Sequence, residues 1–553
     1  GDWAFSKGIN RFVFHTFAHQ PWENVKPGMT MGPHGMMGNR NTTWWEQGHE
    51  WMSYLSRSQY LLQQGTAVID LGYVLSEDAP VGNSLPYRKN LNPAPPIGYD
   101  YGFIDANSFL KMTVSEGFVV SQAGMKYRVL ILNEKEAVRP KIAKKINELI
   151  RQGATIVGAN FEKSPSLEGF PKADAEVKKL ASVIPEKSLE QTLAQIQLTP
   201  DALFKYIIPS TATSLKPMEY IHRKLEKTHI YFVSNQNEKS VLVECSFRVD
   251  DLQPELWYPD KGTIEPAANF RQLRGRTLVS LNLQNMESVF VIFRKPLSAE
   301  VTTVKAFTLN GKQPENASLK KVDDKLIVSA RETGTYYLET VKGKVLNTTV
   351  NEIPKPYVIE TGWRLNFPAS ASTSNPLQLP KLTSWTENDN FKIKHFSGTA
   401  NYEVEFDLPE DMQLKLGNEN YTIQLDLGEV AVIASAKLND KDLGILWKEP
   451  FSTDITNHLV KGKNKLQVSV TNLWVNRLIG DDHLAPDIEY SHHGSRGRAI
   501  KKIPDWVVKG GERPNTSRQT FSTWMFFDKN SPLIKSGLIG PVKIVFSSEK
   551  VLK

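Results

Sequence analysis

Between Ile9 and Tyr73 the chain changes periodicity in an order that few folds can accommodate. Ile9-Asn10-Arg11-Phe12-Val13-Phe14-His15 reads as a strand. Residues 16–43 form a long loop rich in Gly, Met, His and Trp. Residues 44–64 then carry apolar Trp44, Trp51, Leu55 and Leu62 at helical spacing, with Tyr54 and Leu61 beside them and Gly65 as the stop. Residues 67–73 read as a second strand. Strand, loop, helix, strand is one repeat of a parallel α/β domain, and such domains carry their chemistry on the loops after the strands. Loops longer than roughly 12–15 residues are functional or disordered. The aromatics here argue against disorder, so the loop is expected to bind something. Two strands cannot complete a parallel domain. The pattern therefore predicts that the rest of the sheet comes from sequence upstream of Gly1, a missing N-terminal portion of the same protein.

Beyond this stretch a Pro-rich hinge, Asn92-Pro93-Ala94-Pro95-Pro96, leads into a second α/β pattern. Residues 127–132 are an apolar strand, 138–152 an amphipathic helix with Ile142, Ile146, Leu149 and Ile150 on one face, and 153–158 the next strand. This is a small doubly wound module without a G-x-G-x-x-G turn, so no nucleotide is assigned to it. From about residue 203 short β-branched runs replace helices: 229–233, 240–249, 277–283 and 288–293. Their spacing predicts a β-sandwich, with Asn310-Gly311 and Lys342-Gly343 as hairpin turns. Period-2 runs at 401–406, 422–427 and 465–470 predict a second sandwich of jelly-roll type.

Composition narrows the function. An excess of 7 positive charges over 553 residues is mild and unclustered, so no nucleic-acid footprint is expected. The longest apolar runs fall short of a membrane span. The single cysteine, Cys245, sits in a strand pattern and rules out an internal disulfide.

Candidate chemistry gathers in the first stretch. His15 ends the first predicted strand, where a polar side chain faces the reaction side of a parallel domain. Glu46 and Glu50 lie four residues apart on one helix face, at the positive end of the helix dipole, which favours the ionised carboxylate a general base needs. Thr43-x-x-Glu46 is equally a capping box, in which Glu46 would only satisfy backbone donors. Glu23 lies in the loop itself. Asp70, between Ile69 and Leu71, is out of place in a buried strand unless it faces a polar pocket or is hydrogen-bonded. Trp22, Trp44 and Trp45, with Met29, Met31, Met36 and Met37, offer an apolar wall against which a sugar ring or a deoxy-sugar methyl could rest. His492-His493 lacks an evident third ligand and reads as a surface turn, so no metal ligands are assigned.

Several of these stretches together resemble glycoside hydrolase family 106, the α-L-rhamnosidases. Gly8 to His15, the Trp44-Trp45 helix start, and Tyr54-Leu55-Ser56-Arg57 to Gly65 look like the end of the catalytic barrel in that family. Tyr220-Ile221-His222-Arg223, Ile230 to Asn235, Phe247-Arg248-Val249, Pro254-Glu255-Leu256-Trp257 and Ser288 to Arg294 resemble the block that follows. Phe396 to Tyr402, Leu438 to Gly444, Trp447, Pro450-Phe451 and Val470 to Arg477 resemble the sugar-binding jelly roll of family 2 glycosidases.

The resemblance implies an inverting glycosidase that removes terminal α-L-rhamnosyl residues from an oligosaccharide or polysaccharide. It implies two carboxylic acids roughly 6.5–9.5 Å apart and a calcium ion at the sugar. The architecture expected is multidomain α/β plus all-β. Residues 1–85 would be the C-terminal part of a (β/α)8 barrel, 86–200 a flavodoxin-like domain, 201–352 a β-sandwich, and 353–553 a galactose-binding-like jelly roll. At least one catalytic carboxylate, the acid, is expected in the upstream portion; in the part present Glu46 and Glu50 are the expected catalytic carboxylates, and His15, Glu23, Trp44, Trp45 and Asp70 the expected sugar contacts. The expected setting is the periplasm or exterior of a bacterial cell. A non-catalytic carbohydrate-binding protein and a family 2-like β-glycosidase are the competing readings.

Overall fold

The structure is a computed structural model that describes residues 1–553 apart from 33–37, 76–90, 133–136, 159–160, 183–186, 208–214 and 370–375. The chain divides into two compact units. The first holds Gly1–Asn10, Ser58–Lys305 and Thr340–Gly343; the second holds Arg11–Arg57, Ala306–Glu339 and Lys344–Lys553.

The first unit begins with a parallel sheet in the order Tyr101–Ile104, Leu71–Val74, Val129–Leu132, Ile156–Gly158. Both faces are covered, which is why Val129–Leu132 is apolar throughout and buried throughout. On one face Leu130 and Leu132 meet Ile142, Ile146 and Leu149 of helix Pro140–Arg151 and Val177 of helix Lys172–Ala181. On the other, Leu71, Tyr73, Val129 and Ile131 pack with Leu189 and Leu193. Pro140 opens its helix at a position where a missing N–H costs nothing.

The same unit continues into a sandwich. A four-stranded sheet, Ala202–Tyr206, Val241–Phe247, Thr277–Leu283, Phe270–Gln272, shares a core with a six-stranded one. That one runs Thr263–Pro266, Leu252–Tyr258, Ser288–Pro296, Thr228–Ser234, Glu219–Leu225, Thr66–Ala67. Val241–Phe247 alternates buried and half-buried residues, as a strand with one core face should. Residues 288–293 are buried on both faces. Phe5 of the short helix Asp2–Ser6 meets the ring of Phe232 edge-on at 5.8 Å, covering the side away from the sandwich core.

The second unit is built on the jelly-roll pattern. One sheet runs Leu377–Leu379, Trp363–Asn366, Thr399–Asp407, Lys463–Thr471, Ile433–Leu438, Lys441–Leu446. The other runs Ala317–Val322, Lys325–Ala330, Lys543–Val551, Tyr421–Asp426, Ser452–Asp454. Their inner faces form a single core that includes Trp363, Tyr402, Val404, Leu425, Val468 and Ile544. Between helix Val475–Asp482 and strand Gly537–Gly540 the chain makes an excursion with its own small sheet, Tyr490–His492, Arg498–Ile500, Trp524–Met525.

Mixed α/β plus all-β architecture is therefore present, and four details of the expectation change. Residues 9–15 form no strand: Phe12 stacks on Phe14 and Val13 is 91% exposed. The expected helix at 44–64 starts as a 3-10 turn, Glu46–Gly48, and becomes α-helical over His49–Leu62. The expected strand at 67–73 splits. Thr66–Ala67 pairs with Glu219–Leu225, whereas Leu71–Val74 joins the parallel sheet, so a boundary at residue 85 cuts that sheet. Finally, Lys325–Ala330 pairs with Lys543–Val551, which places part of 201–352 in the jelly-roll unit. The Asn310-Gly311 turn forms as the sequence predicts, with φ of 48° and 81° and reciprocal bonds between Leu309 and Lys312.

Candidate functional site

The described part of the loop that follows Arg11 has almost no regular structure, yet several of its polar side chains are spent on one another. Gln20 and Asn41 are both buried. The Gln20 amide clasps Met29, donating Nε2 to its carbonyl at 2.7 Å and accepting its N–H at 2.9 Å. Asn41 Nδ2 donates to the carbonyls of Pro27 and Val25, at 3.2 and 3.5 Å, and to Gln20 Oε1 at 3.3 Å. Arg40 donates to the Gln20 carbonyl at 2.7 Å. Gly28 has φ +90°, and a Cβ there would lie 2.2 Å from Gln20 Oε1, so only glycine lets the clasp close. Within the same unit Pro27–Gly28 pairs in parallel with Phe521–Ser522, and Trp22 meets Phe521 edge-on at 6.1 Å.

From this fixed loop the chain enters the helix start. Trp45 already has helical angles, φ −55° and ψ −46°, and no side chain caps the turn. The expected capping box is absent: Thr43 Oγ1 is buried without a hydrogen-bond partner. Glu46 is exposed and Glu50 half-buried. His49 Nδ1 lies 2.8 Å from the Glu46 carbonyl, and its Nε2 lies 3.4 Å from Glu50 Oε1. Beside them an aromatic file runs Phe14, Trp51, Trp44, with centroids 5.4 and 6.0 Å apart. Gly48 is what lets Trp44 lie so close, since a Cβ there would sit 2.9 Å from the ring. Trp45 is 38% exposed and presents an open face. One exposed and one half-buried carboxylate beside exposed and half-buried indoles suit a polyhydroxylated ligand, which takes hydrogen bonds at its rim and ring contact on its C–H face.

Of the other expected contacts, His15 and Glu23 are exposed residues of the same loop. Met31 is exposed, Met29 lies in the Gln20 clasp, and Met36 and Met37 fall outside the described residues.

Asp70 belongs to the first unit, and it precedes strand Leu71–Val74 rather than ending a strand. Both its oxygens accept from Arg248 Nη2, at 2.8 and 3.0 Å. Burial raises its pKa, and Arg248 offsets part of that rise. This pair adjoins a cluster that the sequence pattern does not reveal. Asp201, wholly buried, lies 3.0 Å from His222 Nδ1 and accepts from Tyr231 Oη at 3.0 Å. His222 Nε2 lies 2.9 Å from His229 Nδ1. Burial alone would raise the Asp201 carboxyl, but His222 and Arg248 outweigh it and hold it below the usual range. Burial, with His222 beside it, depresses His229 to about 3. The cluster ties the parallel sheet to the sandwich, because Asp70 leads into the former and Arg248 leaves the latter. Its signal in the sequence was two histidines of one hairpin, His222 opposite Tyr231 and His229 opposite Lys224, diagonal neighbours on one face, which becomes visible only once the register is known.

His493 packs on the Trp524 ring at 5.3 Å. Among the described residues no group of three or more His, Cys, Asp or Glu converges closely enough to hold a metal ion. No ligands are therefore assigned to the calcium that the resemblance implies, and no step is routed through it.

Comparison with known proteins bears on the same region. Residues 1–272 match the family model described as alpha-L-rhamnosidase. A curated relative from Formosa agariphila, which carries the provisional name beta-glucuronidase, is 30% identical over an alignment that takes in 100% of this chain and 61% of its own length. A solved rhamnosidase from Novosphingobium sp. PP1Y is 26% identical with a TM-score of 0.72, covering 99% of this chain and 45% of that one. The chain thus spans about half to three-fifths of the length of these two proteins.

Proposed function

We propose, from the premise that residues 1–272 belong to the alpha-L-rhamnosidase family, glycoside hydrolase family 106, that the chain is part of a glycosidase removing terminal α-L-rhamnosyl residues. The observation that carries the reading is the place of the match: it takes in the fixed aromatic loop and the carboxylate-bearing helix start. In this reading Glu46 is the acid/base carboxylate and Glu50, with His49 beside it, contacts the sugar hydroxyls. His15 and Glu23 lend further polar contacts from the loop. Trp44 and Trp45 take the apolar face of the ring and the C6 methyl that distinguishes a deoxy sugar.

Inversion requires water between a base and the anomeric carbon and an acid on the opposite face. An exposed carboxylate such as Glu46 is free to hold that water. A general acid or base contributes about 10²–10⁴ in rate. Glu46→Gln is therefore expected to lower kcat on an aryl α-L-rhamnoside by at least about 100-fold, with the product anomer read by NMR. Full activity in both Glu46→Gln and Glu50→Gln would remove these residues from the mechanism. Absence of any α-L-rhamnoside turnover by the full-length protein would remove the reading itself. The name of the Formosa agariphila relative favours one alternative, a β-glucuronide substrate, and an aryl β-glucuronide in the same assay separates the two.

A further inference from the structure

The loop's position is set by residues far downstream in the sequence. The Asn41 carbonyl accepts from Trp474 Nε1 at 2.7 Å. At the helix start Gln47 Nε2 donates to Thr471 Oγ1 at 3.0 Å, and Thr471 in turn lies 2.7 Å from the Thr399 hydroxyl. On the helix, Tyr54 packs against Trp447 at 5.5 Å. Trp447, Thr471 and Trp474 all come from the C-terminal sandwich, and all three contacts lie within the second unit. They bracket Glu46: Asn41 stands before it in the chain, Gln47 and Tyr54 after it.

We infer that Asn41, Trp474 and Thr471 are positioning residues for the proposed hydrolysis, and that the sandwich serves as the jig that sets Glu46 and the indoles of Trp44 and Trp45. None of the three touches the reacting atoms. Three features carry this. Among the described residues of 29–45 the loop has no strand or helix of its own to fix it. Its internal bonds make it rigid without placing it. Residues 26–30 are held by Phe521–Trp524, whereas the bonds that place the part next to Glu46, at Asn41 and Gln47, end on strand Lys463–Thr471 and on Trp474 just beyond it. Catalysis is sensitive to such placement, because a misplacement of about 1 Å can cost about 10²-fold. A face of the sandwich occupied in this way is a mount for the helix rather than a free sugar-binding surface at that point. The inference rests on the function proposed above, and its test is separable from it.

Trp474→Phe keeps the ring and removes the one donor; Thr471→Val keeps the shape and removes the acceptor. Each is made in the full-length protein and assayed on an aryl α-L-rhamnoside. The expected result is a fall in kcat of about tenfold or more, KM within about threefold, and thermal unfolding within a few degrees of the unaltered protein. Hydrogen exchange at the amides of residues 19–31 and 38–47 is expected to quicken in both. A kcat within twofold of the unaltered protein in both variants overturns the inference, since the contacts would then be packing alone. Unchanged exchange in those residues overturns it whatever the substrate proves to be. An unaltered protein inactive on every α-L-rhamnoside overturns the functional reading instead, and the exchange measurement still decides this one.

Discussion

Gly48 shows how one missing methyl group shapes the site. It closes the 3-10 turn at the helix start without a positive φ, and alanine is intrinsically the better helix former by about 1 kcal/mol. The Trp44 ring nevertheless fills the space a Cβ would take, at 2.9 Å. Overpacking of this kind costs about 1–3 kcal/mol. Gly48→Ala is therefore expected to destabilise the protein in urea titration and to change Trp44 fluorescence; a stabilised variant would show that the ring moves aside freely. The buried His229 gives a second residue-scale expectation. Its folded pKa, about 3, lies below the unfolded value of 6.5, so the folded state binds fewer protons. The stability it allows is complete above pH 6.5 and declines as pH falls through that window, by about 1.4 kcal/mol per pH unit at most. Thermal unfolding between pH 7 and 4 should show this slope, and His229→Gln should flatten it. Asp201 adds in the same direction at lower pH, because its folded pKa is depressed. Asp201→Asn leaves His222 and Arg248 facing a neutral amide, and is expected to cost about 3–5 kcal/mol by chemical denaturation.

Elements differed in how legible they were, and the reason is whether their partners lie in the local pattern. Val129–Leu132 and helix Pro140–Arg151 could be read because burial on two faces, or along one stripe, writes itself into four to twelve consecutive residues. Gly65 could be read as a helix stop for an equally local reason. It has φ +55°; the Lys224 carbonyl, which a Cβ there would meet at 2.0 Å, is a distant neighbour that the local pattern does not show. Gly65→Ala is accordingly expected to cost more than about 1 kcal/mol, loosening the Thr66–Ala67 edge first; hydrogen exchange along Glu219–Leu225 measures it. Residues 9–15 misled because alternation describes an extended chain and says nothing of a neighbour to bond with. Phe12 stacks on Phe14, and Phe14 packs against Trp51. The capping box at Thr43 failed because the turn begins later than that pattern needs: Trp45 holds the cap position, so Glu46 is the first residue of the turn rather than the third. The described residues of the aromatic loop are held in place, as the aromatics suggest, but the bonds that hold them are out of sight in the sequence. Gln20 and Asn41 look like any loop residues until Met29, Pro27 and Trp474 are seen around them.

At the scale of the whole molecule the chain contains separate cores: one on each side of the parallel sheet, one in the first sandwich and one in the jelly roll. Chains of this size with several cores do not unfold in a single step. Calorimetry is expected to resolve more than one transition, and a single transition with equal calorimetric and van't Hoff enthalpies would contradict that. Domain order was legible in the sequence because texture changes where cores change. Domain edges were less so, because Lys325–Ala330 is an ordinary strand whose partner, Lys543–Val551, lies more than two hundred residues on.

The bond between Asn41 and Trp474 spans 433 residues, and those from Thr30 to Thr523 span 493. A ribosome adding about 5–20 residues per second needs roughly 25–100 s to cover that distance. Throughout that interval Phe14, Phe17, Trp22, Trp44 and Trp45 have been translated while the surface that holds their loop has not. Growth temperature and chaperone supply during synthesis should then govern how much of the protein is recovered with this loop seated, far more than they govern the parallel sheet, whose strands emerge within seconds of one another.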